Sequence, residues 1–226
     1  GMEWNGINPS GMEWNGMGRG KTTMKHDNRY SYKPQYDPFE NVMTRNGLHA
    51  DEVISALQKS IRHADEDTAI RCGYEMYVTS MELENYLWRR LSVISVEDIG
   101  FGEPTAPILI QTLKNMREEF PYSLSGSRAL FLFQAIRYLC KCKKERSSDT
   151  IKTIVIEEYK RGEYAKLPTE YDIYDWHTKK GREGGRTYLD FLEHFTDVTP
   201  FMDQYDPELK EILKQYTREN IELGEE

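Results

Sequence analysis

Residues 167–195 contain the side chains best suited to bind a metal or an anion. Asp172, Asp175 and His177 are close together in the sequence, and His194 follows. Carboxylate and imidazole groups are ligands that zinc accepts in proteins. No further Cys or His spacing supports a zinc site. We therefore expect no bound metal or other cofactor, and treat these residues as weak candidates for the centre of a metal-dependent hydrolase.

The same segment is basic and rich in glycine. Its glycines, Gly181, Gly184 and Gly185, alternate with Lys179, Lys180, Arg182 and Arg186. Glycine-rich backbone that enters a helix, here expected from Thr187, can bind an anion such as a DNA phosphate. In the structural alternative, Asp175 and His177 only hydrogen-bond to Arg186 or to the backbone. The residues leave both interpretations open.

A second basic cluster lies near the end of a predicted helix and consists of Arg137, Lys141, Lys143, Lys144 and Arg146. Cations stabilise the C-terminal end of a helix by interacting with its dipole, which gives a structural interpretation. Clusters of Lys and Arg also contact nucleic-acid phosphates, which makes these residues candidates for DNA binding. The chain as a whole, with a formal net charge of -8, is poorly suited to non-specific DNA binding, so any such contact would be local.

We do not expect a nucleotide site in the N-terminal region. Gly16 to Thr22 are similar to the end of a phosphate-binding loop, but the spacing is one residue short and no apolar strand precedes them. His26 and Asp27 lack the further ligands of a metal phosphohydrolase. The stretch GMEWNG occurs twice before residue 17 and is too short for a solenoid repeat. We expect a flexible or extended arm over residues 1–47.

Composition is consistent with a packed protein outside membranes. The 226 residues, 12% of them aromatic, can build a core without disulfides or a metal. No apolar run is long enough to span a bilayer. Cys72, Cys140 and Cys142 form no disulfide framework and are expected to be small buried or half-buried thiols in the cytoplasm.

Apolar spacing predicts an all-α multi-helix bundle over residues 48–161 and a C-terminal extension over residues 162–226, packed on the same domain. In the first helix, Val53, Ile54, Leu57 and Ile61 form one stripe. The other expected starts are Asp65, a capping box at Thr79 to Glu82, Glu103, Ser125, Ser148, Thr187 and Asp206.

The third helix is expected to end at Gly100 and to turn Leu83, Leu87, Leu91, Val93 and Ile94 inward. Gly73 in the middle of the second helix indicates a close helix crossing. Outward aromatic side chains that could contact partner chains are expected at Tyr74, Tyr77, Tyr86 and Trp88.

Two stretches carry a resemblance to a known family. The string DEVISALQKSIRHADEDTAI, followed by RRLSVISVEDIG, resembles the C-terminal region of the RarA/MgsA family of AAA+ ATPases. The resemblance covers roughly residues 48–145. It implies a helical module related to the clamp-loader collar, which follows the ATPase core in that family and carries homotetramerisation.

This resemblance implies a role in replication-fork maintenance and DNA repair. The chain has no phosphate loop, acidic strand or arginine finger, so ATP hydrolysis by the family's mechanism is not expected. We expect a non-catalytic oligomerisation module, a dimer or tetramer, whose further partners could be fork DNA or a separate ATPase. The Asp-x-His-Thr and Gly-Arg pattern of residues 175–186 is similar to a segment that follows the collar in some family members.

Overall fold

The computed structural model describes residues 39–168, 173–200, 202 and 207–224. In these ranges the regular secondary structure is helical, apart from an isolated antiparallel bridge between Met43 and His49. The protein is therefore an all-α multi-helix bundle, as the spacing of apolar residues predicts. None of the described helices is both long and apolar enough to cross a membrane.

The chain divides after Gly162 into two compact units. The helices of the first unit are α1 (Ala50–Arg62), α2 (Glu66–Thr79), α3 (Met81–Ile94), α4 (Ala106–Met116), α5 (Ser127–Lys141) and α6 (Ser147–Lys160). Those of the second unit are α7 (Lys179–Glu183), α8 (Tyr188–His194) and α9 (Pro207–Leu223). The predicted helix starts at Thr187 and Asp65 are confirmed by side-chain caps, whereas Asp206 lies outside the described residues.

The core of the first unit lies between α1, α2, α3, α4 and α5. The predicted stripe of α1 is buried throughout, and α2 approaches α5 closely at Gly73. A Cβ atom at Gly73 would lie 2.3 Å from Cδ1 of Ile136, so the predicted close crossing is confirmed. Residues 39–47, the described part of the N-terminal arm, also contact this core, where Phe39 packs against Tyr86 with ring centroids 4.3 Å apart.

The predicted capping box at Thr79 to Glu82 is wrong by one residue. Ser80 is the N-cap of α3, and its Oγ accepts a hydrogen bond from the backbone N–H of Leu83. Thr79 is the last residue of α2, and its hydroxyl donates to the carbonyl of Glu75. Because Leu83 and not a Glu or Gln lies three residues after Ser80, α3 begins with a single side-chain cap and not with a capping box.

The predicted outward aromatic surface is also wrong at two of its four positions. Tyr77 and Trp88 are fully buried, while Tyr74 and Tyr86 are half-buried against the core. Burial of Tyr77 is possible because its hydroxyl donates to the carbonyl of Ser123 at 2.6 Å. Val93, predicted to face inward, is exposed.

The end of α3 is irregular. The helix continues through a π-helical turn, Ser95–Ile99, and a 3-10 turn, Gly100–Gly102. The third helix is predicted to end at Gly100, whereas α3 ends at Ile94 and Gly100 ends the π-turn that continues it. Gly100 has φ +51°, a conformation that glycine adopts without strain. The π-turn contains Glu97 and Asp98, two acidic residues of the candidate site.

Candidate functional site

The basic cluster at the end of α5 contains cations in three different situations. Arg137 forms an ion pair with Glu66, with 2.7 Å between Nε and Oε1. Lys144 donates from Nζ to the carbonyl of Cys140 at 3.0 Å and caps the end of α5. Lys144 thus has the role at a helix C-terminus that the dipole predicts, whereas Arg137 connects α5 to the start of α2.

Lys141 and Lys143 are different because both are exposed, and neither forms an ion pair with any described residue. The backbone of Lys143 lies against the turn that follows α3. A Cβ atom at Gly102 would lie 2.3 Å from the carbonyl oxygen of Lys143, and one at Gly100 would lie 2.4 Å from that of Glu145. Because only glycine permits so close an approach, the two glycines allow the backbone of Lys143 and Glu145 to pack against this turn.

Arg146, the last cation of this cluster, belongs to a buried polar network. The carboxylate of Asp98, in the π-turn, is fully buried. It accepts hydrogen bonds from Arg146 Nη1 at 2.5 Å, from Arg62 Nε at 2.6 Å and from Gln58 Nε2 at 2.9 Å. Burial opposes ionisation of Asp98, but these hydrogen bonds outweigh it and hold its pKa below the ordinary value of 3.8. Glu97, beside it, accepts from Gln58 and Arg146.

This network joins the two strings that carry the family resemblance. Gln58 and Arg62 belong to SALQKSIR, while Glu97 and Asp98 belong to the VEDIG ending. Sequence reasoning missed the network. A signal was present, because two carboxylates at the C-terminal end of a helix are unfavourable unless cations neutralise them.

A second buried network lies inside the bundle and was also missed. Glu84 is fully buried and accepts hydrogen bonds from Arg117 Nη1 at 3.0 Å and from Arg128 Nη2 at 2.9 Å. Arg117 also donates to Asn85, and its guanidinium lies 5.4 Å from the ring centroid of Trp88. The carboxylate connects α3, the turn after α4, and α5. We interpret it as a structural centre because all of its charged groups face one another.

In the second unit, the structure brings Asp175 and His177 together. The backbone N–H of His177 donates to Asp175 Oδ1 at 2.9 Å, and Nδ1 of His177 lies 3.2 Å from Oδ2. Thr178 caps α7 by accepting from the N–H of Gly181 at 3.0 Å. Because this side-chain cap already occupies an N–H of a short helix, the geometry favours a compact loop over an anion site.

The cations of this segment are mostly engaged locally. Arg182 donates from Nη1 to the carbonyls of Trp176 and His177, both at 3.0 Å. Two others lie over aromatic rings, Lys180 over Tyr174 and Arg186 over Phe195. Lys179 is exposed and lies 3.6 Å from a carboxylate oxygen of Glu183.

The weak metal candidates are not gathered into a ligand set in the part of the chain that the structure describes. There, no group of three or more His, Cys, Asp or Glu side chains is placed to hold a metal ion. Asp172 lies outside the described residues. His194 has its Nε2 3.9 Å from a carboxylate oxygen of Glu193.

Comparison with known proteins does not identify a family. No protein-family model matches the chain. Nor does any curated protein match it with significance.

Proposed function

We propose that the first unit is a self-associating helical module of the clamp-loader-collar type, without catalytic activity of its own. Its context would be that of the RarA/MgsA family, in replication-fork maintenance and DNA repair. The partners would be further copies of this chain, in a dimer or tetramer. A separate ATPase is the further protein partner that this proposal implies.

Support for the collar-like relationship comes from the Asp98 network. Two residues of the matched strings, Arg62 and Asp98, connect α1 to the end of α3, and Arg146 connects the same carboxylate to the start of α6. A sequence pattern with this architectural role is consistent with a module that assembles.

The single observation that carries the self-association proposal is the outer face of α6. Ile151, Ile154 and Val155 are 57%, 49% and 53% exposed and form one stripe at helical spacing. Thr153 and Ile156, on the opposite side, are half-buried. Isolated exposed apolar residues are common, but a stripe of three along one helix face is typical of a surface that another chain covers.

Molecular mass in solution tests this proposal. Sedimentation velocity or light scattering of the full chain at micromolar concentrations should show a dimer or tetramer. The double variant Ile151→Ser/Ile154→Ser should move the mass toward that of one chain, because it removes apolar area from the contact. Ile108→Ser serves as the control, since Ile108 is 68% exposed on α4 and outside the stripe.

The wild-type mass decides the outcome. A wild-type mass of one chain at all concentrations would contradict the proposal. An oligomer that the α6 variant leaves intact would place the self-association surface elsewhere.

A second candidate function is DNA binding, and Lys141 and Lys143 favour it. Lys143 adjoins the turn that contains Phe101, which is 74% exposed, and Lys141 is exposed at the end of α5. An exposed aromatic ring near cations that form no ion pair with a described residue suits single-stranded DNA, in which bases stack on rings and phosphates contact lysines.

Fluorescence anisotropy with forked and single-stranded oligonucleotides tests this candidate. Binding should weaken steeply as salt increases, and Lys141→Glu/Lys143→Glu should weaken it further. The exposed residues Lys59 and Lys166 provide a control pair with the same charge change. Equal losses in both pairs, or no binding at low salt, would remove this candidate.

A further inference from the structure

Helix α9 packs against α8 with its polar side. Lys210 and Lys214 are only 20% and 13% exposed, although both are lysines. Arg218 donates from Nη2 to Glu193 of α8 at 2.7 Å, and Lys210 donates to Asp197 at 3.2 Å. The contact between these two helices therefore uses long polar side chains, whose stems cover the surface between them.

The apolar side of α9 faces away from this contact. Leu209, Ile212, Leu213 and Tyr216 recur at helical spacing and are 63%, 46%, 43% and 59% exposed. At about 100° per residue, this stripe lies on the side of the helix opposite to Lys214 and Arg218. An amphipathic helix normally buries its apolar stripe, so α9 presents a surface that lacks its partner among the described residues.

One edge of this stripe is acidic. Glu208, Glu219 and Glu222 are exposed and lie along the same side of it. On the other side the charged residues are Lys210 and Lys214, which are largely covered. The surface that α9 presents is thus apolar with a negative edge.

We propose that α9 binds a basic amphipathic helix of another protein. Such a helix would place its apolar residues on Leu209, Ile212 and Tyr216 and its lysines or arginines against Glu219 and Glu222. Apolar anchors at helical spacing provide affinity in this mode of recognition, and complementary charge provides specificity. A second copy of α9 would bring the same glutamates to the contact, so self-pairing is less favourable in charge. This proposal is independent of self-association through α6.

Binding of a synthetic probe to the full chain tests the proposal. The probe is an 18-residue helical peptide with leucines on one face and lysines on the other, labelled for anisotropy. It should bind the wild type, and Glu219→Lys/Glu222→Lys should weaken binding at least about tenfold. Ile212→Ser/Tyr216→Ser should weaken it by a similar factor without changing the net charge.

Matched controls separate this site from attraction to an acidic protein. Glu119→Lys/Glu163→Lys makes the same charge change at exposed residues outside α9 and should leave binding within about twofold. A peptide with glutamates in place of the lysines should not bind. Equal losses in both charge variants, or binding that survives Ile212→Ser/Tyr216→Ser, would overturn the proposal.

The mass of the α9 variants completes the test. If Ile212→Ser/Tyr216→Ser lowers the oligomeric mass of the chain and the probe does not bind the wild type, a second copy covers the stripe and the proposal is wrong. If the α6 variant alone changes the mass, self-association and the α9 site are separate.

Discussion

Arg62 and Asp98 lie 36 residues apart in the sequence, yet Arg62 Nε donates to Asp98 Oδ1 at 2.6 Å. The carboxylate is fully buried, while the arginine side chain is 30% exposed. This contact fixes the π-turn to α1, and Arg146 fixes the start of α6 to the same carboxylate. One acidic side chain therefore connects α1, the π-turn and the start of α6.

We expect Asp98→Asn to destabilise the first unit by about 3 kcal/mol, because it leaves two guanidinium groups without their buried counter-charge. Chemical denaturation followed by circular dichroism measures this change. Asp51→Asn is a suitable control, because Asp51 lies in the first turn of α1 away from the network. A loss of unfolding free energy as small as that of the control would mean that Asp98 does not hold the first unit together.

The lowered pKa of Asp98 predicts how stability depends on pH. Because the native pKa lies below the unfolded value near 3.8, this group stabilises the fold fully above about pH 5. Its contribution is lost as pH falls through the native pKa. Wild-type stability should therefore decrease in this acid range more steeply than that of Asp98→Asn. Parallel pH profiles of the two proteins would contradict the assignment.

Glu84→Gln should cost about 3–5 kcal/mol, since it leaves Arg117 and Arg128 buried without a negative partner. Urea unfolding of the wild type and the variant provides the measurement. Glu118→Gln is the matched control because Glu118 pairs with Arg117 but is 62% exposed, and we expect less than about 1 kcal/mol there. Similar losses of unfolding free energy in the two variants would show that burial of the carboxylate does not determine the size of the loss.

Gly181→Ala should disrupt the loop of the second unit. A Cβ atom there would lie 1.8 Å from the backbone oxygen of Asp175, so the backbone itself must move. Gly184→Ala is a milder control, with its nearest atom, Lys180 O, at 3.2 Å. Hydrogen exchange of residues 175–195 should increase in the first variant and change little in the second, and equal exchange in both would argue against this packing.

Cys140 should be chemically inert in the native protein. Burial raises the pKa of its thiol to about 11, and the residue is only 3% exposed. Because the thiolate is the reactive form, alkylation at pH 8 should label Cys140 only after unfolding. Mass spectrometry of peptides after a timed iodoacetamide reaction checks this, and fast native labelling of Cys140 would be inconsistent with the fold.

Local signals predicted the helices well. The stripe of α1 and the cap at Asp65 depend on residues within a few positions of one another, and both are confirmed. Contacts between distant residues could not be predicted in this way. Nothing near Glu84 in the sequence shows that Arg117 and Arg128 will meet it, because their approach depends on how α3, α4 and α5 pack.

The candidate sites show a second limit of sequence reasoning. Periodicity identifies an apolar face but does not show whether another element covers it. Ile154 of α6 lies on such a face and is 49% exposed. In the same way, residue types alone could not show which cations of the basic cluster have local partners. The fold separates Arg137 and Lys144, which have local partners, from Lys141 and Lys143.

The polar attachment of α6 also affects how readily this helix opens and exchanges its amide protons. This helix has no fully buried residue and is held at its start by Arg146 and by the N–H of Glu145, which donates to the carbonyl of Asp98. A helix attached in this way opens by local unfolding at a lower free energy than the core helices. Its amide protons should therefore exchange early in an isolated chain. A partner that covers Ile154 would slow this exchange, so the protection of α6 would report assembly directly.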